Sequence, residues 1–393
     1  MSKIIYADNA ATTSLSKHAY EAMTPYLISE YGNPSSIYSV GRTAKKAIES
    51  ARGKVASAIG AKPEEIYFTA CGTESDNWAI KSVAELKKSK GKHIISTAIE
   101  HHAVVHTLQK LEKQGFDVTY LGVNENGNIS LDELRAAIRP DTILITIMTA
   151  NNEIGTIMPI AEIGDIAREA GVLFHTDAVQ AAGHIPLNVV DMKIDLLSLS
   201  GHKFKGPKGT GALYIKKGVR LPSNMQGGAQ ERGLRSGTEN VAGIVGLATA
   251  LEESVSNMQE NMKKVTALRD RLIDGILKIP YTRLTGDLVN RLPGTASFVF
   301  ECVEGESMVL LLDQNGICAS SGSACSSGSL DPSHVLMAIG LPHEVAHGSL
   351  RLSLGEDNSE EDIDIILEKL PQIISRLRDM SPLWEERISE EKI

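Results

Sequence analysis

Apolar runs of strand length alternate with helix-forming segments between residues 66 and 215, and this alternation limits the possible folds more than any other feature of the chain. The run Thr142–Met148 is typical of a buried strand, and Ile160–Ala170 has the spacing of a helix. Strands and helices that alternate in this way form a largely parallel sheet covered by helices. We therefore predict an α/β fold with a large, mostly parallel sheet.

A second α/β pattern follows the first and predicts a smaller domain. Strand-like runs at Thr295–Phe300 and Ser349–Leu354 alternate with helical segments, and the N-terminal residues can contribute to the same unit. A chain of 393 residues is too long for one ordinary core. We expect a large domain over 16–260 and a small domain built from 1–15 and 261–393.

Charge and composition exclude several classes of protein. The net charge is −9 and no long basic run occurs, which argues against nucleic acid as the main partner. No apolar stretch is long enough to cross a bilayer, and the first residues do not resemble a signal peptide, so we expect no membrane partner. The 4 cysteines form no Cys-x-x-Cys pair, which indicates a cytoplasmic protein.

Polar residues follow the predicted strands of the large sheet and define one candidate site. Ligands of such sheets bind beyond the carboxyl ends of the strands. The residues at these ends are Gly72 and Thr73, His101, Asn152, Asp177 and Gln180, and Lys203. Neither the glycine-rich turn of nicotinamide enzymes nor the phosphate loop of nucleotide hydrolases is present.

The segment Ser198–Gly209 contains a lysine that can form a Schiff base. Lys203 follows His202 directly, with glycines on both sides that allow a phosphate to approach the chain closely. The neighbouring Lys205 and Lys208 are expected to face solvent, and a basic surface turn is the alternative interpretation of the whole segment.

Pyridoxal phosphate is the cofactor whose chemistry requires this set of residues. A lysine binds it as an imine, and a carboxylate keeps a proton on its pyridine nitrogen. Asp177 is the candidate carboxylate, although a helix cap or a strand-end turn would also use an aspartate. Gly72 and Thr73 begin a helix after a strand, which forms an anion site or simply an ordinary capped helix.

A metal site is not expected. His102 and His106 are four residues apart on a predicted helix, but Ala103 stands where the zinc-protease pattern has its glutamate.

A Ser/Gly-rich run over residues 317–330 contains an unusual cysteine. Such a run cannot pack into a core, whereas a structural cysteine is generally buried. Cys325 is therefore a candidate reactive thiol, and Cys71, Cys302 and Cys318 are interpreted as structural.

The motifs together resemble those of the cysteine desulfurases, and the resemblance covers nearly the whole chain. The long cysteine loop is similar to that of the class that includes the housekeeping and nitrogen-fixation enzymes. The motifs that carry the resemblance are Cys71-Gly-Thr-Glu-Ser-Asp-Asn, Glu100-His101, Asn151-Asn-Glu-Ile-Gly, His175-Thr-Asp-Ala-Val-Gln, Ser200-Gly-His-Lys, Arg235-Ser-Gly-Thr-Glu-Asn, Ser321-Gly-Ser-Ala-Cys-Ser-Ser-Gly and Ala346-His-Gly-Ser-Leu-Arg.

The resemblance implies a fold type and a set of site residues. The fold would be that of the pyridoxal-phosphate-dependent transferases of the aspartate-aminotransferase type, fold type I. The catalytic residues would be Lys203, Cys325 and His101. The cofactor-binding residues would be Gly72, Thr73, His101, Asn152, Asp177, Gln180, Ser200, His202, Lys203 and Thr238. The substrate-binding residues would be Asn33, Asn152 and Arg351; without the resemblance, a structural ion pair would be the favoured interpretation of Arg351.

The resemblance also implies an activity and its partners. L-cysteine would be converted to L-alanine, leaving a persulfide on Cys325. The sulfur would pass to an acceptor protein such as an iron–sulfur scaffold, or serve thio-cofactor synthesis or tRNA thiolation. Thr238 would reach the phosphate of another protomer, which implies a homodimer. Alternatives are a selenocysteine lyase, a cysteine sulfinate desulfinase, an aminotransferase and, in a different class, a non-catalytic sulfur or iron–sulfur scaffold.

Overall fold

The computed structural model describes residues 3–322 and 332–390. Its strands are β1 (Ile5–Tyr6), β2 (Ile66–Thr69), β3 (His93–Thr97), β4 (Asp117–Leu121), β5 (Thr142–Thr146), β6 (Leu173–Asp177), β7 (Leu196–Ser200), β8 (Gly211–Ile215), β9 (Thr282–Thr285), β10 (Thr295–Phe300), β11 (Ile317–Cys318) and β12 (Ser349–Ser353).

The helices are α1 (Lys17–Ile28), α2 (Ser39–Ala58), α3 (Gly72–Lys87), α4 (His102–Glu112), α5 (Leu131–Ala137), α6 (Ile160–Ala170), α7 (Val241–Ser256), α8 (Met258–Ile276), α9 (Gly305–Gln314), α10 (His334–Ala338), α11 (His343–His347), α12 (Glu360–Asp379) and α13 (Pro382–Glu390). Among the described residues, none of these helices has both the length and the apolar character needed to cross a membrane.

Seven strands form the large sheet, in the order β2-β8-β7-β6-β5-β3-β4. The strands from β7 to β4 are parallel, and β8 runs antiparallel to both of its neighbours. All residues of β5 are buried, as expected for a strand covered by helices on both faces. The prediction of a large, mostly parallel sheet is confirmed.

The covering helices follow from the spacing of apolar residues. In α6 the buried positions Ile160, Ile163, Ile166 and Ala167 recur every three or four residues, so they lie on one face. The helix ends at Gly171, whose φ of 64° is the left-handed conformation that glycine adopts easily. The predicted helix at 160–170 is therefore confirmed at both ends.

A smaller antiparallel sheet has the order β12-β10-β9, and β1 pairs in parallel with β11. A second hydrophobic core lies beside it and includes Leu272, Phe298 and Ile363. Ile5 belongs to this core, so the N-terminal segment packs with the C-terminal part of the chain. The division into domains at residues 15/16 and 260/261 stays a prediction.

Candidate active site

A cavity of about 340 Å³ lies at the carboxyl ends of the parallel strands. It brings together most of the residues predicted from sequence. These are Gly72, Thr73, His101, Asn152, Asp177, Gln180, Ser200, His202, Lys203 and Arg351. The strand-end positions converge because parallel strands end at the same edge of the sheet.

Lys203 reaches the cavity from a short 3₁₀ turn that directly follows β7. Its Nζ donates hydrogen bonds to the carbonyl oxygens of Ala10 at 2.7 Å and Ala11 at 2.8 Å. Gln180 Nε2 donates to the same Ala10 oxygen at 2.9 Å. The segment after β1 therefore orients both side chains, and the N-terminal part of the chain completes the site.

The prediction that the next lysines face solvent is wrong for Lys205. Its Nζ forms ion pairs with Glu356 at 3.1 Å and Asp357 at 2.8 Å, and its side chain is 20% exposed. Lys208 is exposed, as predicted. Lys205 contacts the acidic segment after β12, where Asp357 lies 152 residues further along the chain, so the local sequence could not predict this pairing.

Asp177 is the last residue of β6 and is buried. Its Oδ1 accepts a hydrogen bond from the amide of Val179 at 2.9 Å. Burial raises the pKa of Asp177 to about 6, while this hydrogen bond and the charge of Lys203 act in the opposite direction. A cationic partner in the cavity would favour the carboxylate form further.

Asp76, on the first turns of α3, is a second buried carboxyl group in the same cavity. Burial and the nearby charge of Asp177 raise the pKa of Asp76 well above its usual value. Two buried carboxylates repel each other, so we expect Asp76 to keep its proton and Asp177 to ionise. The sequence interpretation missed Asp76, although it follows Gly72 by one helical turn on the helix that was predicted to bind an anion.

The N-terminus of α3 forms one end of the cavity. Cys71 caps this helix, with Sγ accepting from the amide of Glu74 at 3.4 Å. A Cβ at Gly72 would lie 2.6 Å from Val179 Cγ2 and 3.4 Å from Ser200 Cβ, so only glycine fits there. Free amides at a helix N-terminus, with hydroxyls beside them, favour a phosphate.

His202 lies near this end of the cavity as a neutral ring. Its Nδ1 is 3.1 Å from Thr12 Oγ1. Burial, with the charges of Lys203 and Lys208, lowers the pKa of His202 to about 4. At neutral pH the imidazole therefore has one N–H to donate and adds no charge to the site.

His101 caps α4, and its Nδ1 accepts a hydrogen bond from the amide of Ala103 at 3.1 Å. Burial, followed by the charge of Lys203, lowers the pKa of His101 to about 4. A neutral ring fixed by its cap can stack on a flat heterocycle. His102 stacks on His106 at 5.0 Å, yet within 3–322 and 332–390 no group of three or more potential ligands could hold a metal.

Glu100 supports this part of the site and was not assigned from sequence. It is fully buried and accepts hydrogen bonds from Thr97 Oγ1 at 2.7 Å and from the amide of Met148 at 3.0 Å. Burial raises the pKa of Glu100 to about 8. It connects the ends of β3 and β5, directly before His101.

Arg351 enters the cavity from β12, in the smaller sheet. Its Nη1 donates to the carbonyl oxygen of Asn152 at 2.9 Å, and its Nη2 donates to Asp8 Oδ1 at 3.0 Å. Such a guanidinium suits a substrate carboxylate, because its geometry permits two parallel hydrogen bonds.

Three predicted residues do not join this cavity. Asn33 is exposed, and its Oδ1 accepts from the amide of Ser35 at 2.9 Å. Thr238 lines a separate cavity with Gly209 and Arg235. Cys325 lies outside the described residues. The roles given to these three stay predictions.

Comparison with known proteins defines the family. The model of the family "Aminotransferase class-V" matches residues 5–366. The chain belongs to the class-V aminotransferase family. A relative from Methanosarcina thermophila, "Cysteine desulfurase IscS", is 60% identical over 381 residues, which cover 97% of this chain and 94% of that protein.

Two solved structures agree with the fold. A "NIFS-LIKE PROTEIN" superposes with a TM-score of 0.90 at 40% identity, covering 95% of this chain and all (100%) of the other. A structure described as "SspA in complex with cysteine" has a TM-score of 0.79 at 39% identity, covering 89% of this chain and 99% of the other. The prediction of a fold type I enzyme is confirmed.

Class-V aminotransferases use pyridoxal phosphate, and the cavity fits this cofactor. Gly72 packs against Val179 and Ser200 at the N-terminus of α3, where backbone amides favour a phosphate. Lys203 and Asp177 project from the ends of the adjacent strands β7 and β6. The cavity therefore offers helix amides for the phosphate of the cofactor, an amine for its aldehyde and a carboxylate for its protonated ring nitrogen.

Proposed function

We propose that this chain is a cysteine desulfurase that converts L-cysteine to L-alanine and leaves the sulfur as a persulfide on Cys325. The observation that carries the proposal is the convergence of Lys203, Asp177 and Arg351 on one cavity. An amino acid bound there meets an imine-forming amine, an ionisable carboxyl and a guanidinium. The relatives named as cysteine desulfurases support the choice among the reactions such a site can catalyse.

The cavity residues divide between the two ends of the cofactor. Gly72, Thr73, Ser200 and His202 would hold its phosphate, and Asp177 would pair with its ring nitrogen. Gln180 would bond to its phenolic oxygen, and His101 would stack on its face. When bound, pyridoxal phosphate supplies an electron sink for negative charge at the substrate's α-carbon.

Lys203 and Cys325 would perform the chemistry on the substrate. Lys203 moves the proton at the α-carbon, and Arg351 with Asn152 holds the carboxylate during this transfer. The thiolate of Cys325 attacks the substrate sulfur and the carbon–sulfur bond breaks. The electron pair of that bond stays with the β-carbon of the substrate. This carbon takes up a proton, and the product leaves as L-alanine. Asn33 would assist Arg351 at the carboxylate.

The surface supports a homodimer. Exposed apolar side chains cluster along α1 and the segment between α1 and α2, where a monomer would leave them in water. They are Tyr20, Leu27, Ile28, Tyr31, Ile37 and Tyr38. Thr238 is exposed and lies away from the cavity of its own chain, so we infer that it completes the phosphate site of a partner. Sedimentation should give an active dimer, and a fully active monomer at assay concentration would contradict this.

We further infer a cytoplasmic enzyme that passes its sulfur to an acceptor protein such as an iron–sulfur scaffold. The name of the Methanosarcina relative, a cysteine desulfurase, supports the release of sulfur from cysteine, and a persulfide on Cys325 would need an acceptor.

One experiment tests the activity directly. The purified protein with pyridoxal phosphate is given L-cysteine and a reductant, while its absorption spectrum, alanine and sulfide are measured. Equal amounts of alanine and sulfide are expected, and both should depend on Cys325. Turnover of selenocysteine or cysteine sulfinate without that thiol would favour the related lyase or desulfinase instead. Conversion of the cofactor to its amine form would indicate an aminotransferase.

A further inference from the structure

The guanidinium assigned to the substrate is already paired with a carboxylate of the protein. Arg351 Nη2 donates to Asp8 Oδ1 at 3.0 Å, and the two side chains are 5% and 16% exposed. Arg351 Nε is buried and has no hydrogen-bond partner among the described residues. The pair therefore engages Nη2 with a protein carboxylate, while the buried Nε stays without a partner there.

Asp8 cannot easily move away from this position. Its neighbours on both sides are hydrogen-bonded to β11 and β12, Ala7 N to the Cys318 oxygen at 2.9 Å and Asn9 N to the Ser353 oxygen at 3.0 Å. Asp8 itself forms a bridge with Ser353. A ligand must therefore bind with the Asp8 carboxylate still present.

A second acidic group near Arg351 is bonded to a different partner. Glu153 is buried, and its partner is Ser333, whose Oγ donates to Oε2. Burial raises the pKa of Glu153 to about 7, with Ser333 and Arg351 acting in the opposite direction. Asp8 is partly exposed and contacts Arg351 directly, whereas Glu153 is buried and bonded to Ser333. Asp8 is therefore the principal anion at the guanidinium.

We propose that Asp8 is a specificity-determining residue that limits how tightly the site binds a carboxylate. The inference rests on the proposed role of Arg351. Nε and Nη2 form the edge of a guanidinium that binds a carboxylate with two hydrogen bonds. A carboxylate on that edge lies beside Asp8, and like charges shielded from water repel each other. L-alanine carries the same carboxylate as L-cysteine, so the repulsion also promotes product release.

The test compares two ligands that differ only in the carboxylate. Binding of L-alanine and of L-alaninamide to the cofactor-loaded enzyme is measured by calorimetry for the wild type and for Asp8→Asn. The asparagine keeps an oxygen for Arg351 but removes the charge. We expect L-alanine to bind about tenfold more tightly and L-alaninamide to bind unchanged.

Two further variants make the result specific. Asp357→Asn removes a carboxylate that is 75% exposed and pairs with Lys205, so it should change neither affinity. Asp8→Ser is also neutral and should give the same direction as Asp8→Asn, which covers the case in which one variant does not fold. Unchanged or weaker L-alanine binding in a folded Asp8 variant would overturn the proposal, because Asp8 would then only support Arg351.

Arg351→Gln distinguishes the proposed role of Arg351 in substrate binding from the proposed role of Asp8. Loss of L-alanine affinity there, without tightening in Asp8→Asn, would reject the role of Asp8 and keep the substrate site. Unchanged L-alanine affinity in Arg351→Gln would reject the substrate site itself, and the role of Asp8 with it.

Discussion

The two ends of the cavity are built in different ways. The cofactor end comes from residues that directly follow neighbouring strands of one sheet, such as Asp177 after β6 and Lys203 after β7. The carboxylate end depends on Arg351 and Asp8, which are 343 residues apart in sequence and meet beside the smaller sheet. The first end is fixed by strand order, whereas the second exists only when distant segments pack together.

This difference has a functional consequence. Under the proposed roles, groups at the cofactor end would act on the reacting atoms, so their loss should lower kcat. Groups at the carboxylate end would hold the unreactive part of the substrate, so their loss should mainly raise KM. The substitutions below test this division from the largest effect to the smallest.

Removing the amine of Lys203 should have the largest effect. Lys203→Ala should fold, lack the visible absorption band of the lysine-bound cofactor and produce no alanine above background. Lys208→Ala is the matched control, because Lys208 is exposed, and it should leave the band and the turnover unchanged. A normal band and normal alanine production in Lys203→Ala would show that another lysine binds the cofactor.

Removing the thiol of Cys325 should stop sulfur transfer but not ligand binding. Cys325→Ser should still change the cofactor spectrum when L-cysteine is added, because Lys203, Asp177 and Arg351 remain. It should carry no added sulfur after a brief pulse of L-cysteine, as measured by mass spectrometry. Cys318→Ser is the control and should stay active. A persulfide on Cys318, Cys302 or Cys71 would refute the assignment.

A pair of substitutions tests the division between the two ends. Asp177→Asn should lower kcat by roughly 10²-fold or more, the scale on which a single electrostatic partner contributes to an active site. Arg351→Gln should raise KM by about 10²-fold through the loss of charge-assisted hydrogen bonds, with a smaller change in kcat. Steady-state kinetics on the cofactor-loaded variants gives both parameters. A raised KM in Asp177→Asn together with a lowered kcat in Arg351→Gln would contradict the division between the two ends.

The smallest effect is expected at Glu100, which supports the cofactor end without reaching the reacting atoms. Its folded-state pKa of about 8 lies above the ordinary value of 4.5, so between these pH values the folded protein binds more protons than the unfolded one. Glu100 therefore lowers stability as the pH rises through this window. Glu100→Gln should remove that loss and raise Tm at pH 8 relative to wild type by about 3 °C, with less gain at pH 5.

Calorimetric scans of wild type and Glu100→Gln at the two pH values provide the measurement. Glutamine retains an oxygen for the amide of Met148, so the packing between β3 and β5 is conserved. A Tm difference that is equal at both pH values would show that Glu100 is ionised in the folded protein at pH 5.

Local patterns in the sequence determined the large sheet and the cofactor end of the site. Apolar runs and helix spacing are short-range signals, so they located the strands and helices, and parallel strand order then placed Gly72, Asp177 and Lys203 at one edge. The motifs around these residues also carried the family resemblance. The cofactor followed from these residue types, because few chemistries need a strand-end lysine and a buried carboxyl together.

Tertiary packing decided what no local pattern contains. The Asp8–Arg351 pair, the ion pairs of Lys205 and the closeness of Asp76 to Asp177 all depend on contacts between segments far apart in the chain. Period and spacing describe only neighbours within a few residues, whereas burial and charge at these positions arise when separate elements pack against one another. Asn33 and Thr238 lie outside the cavity that the other predicted residues share, and their roles stay predictions.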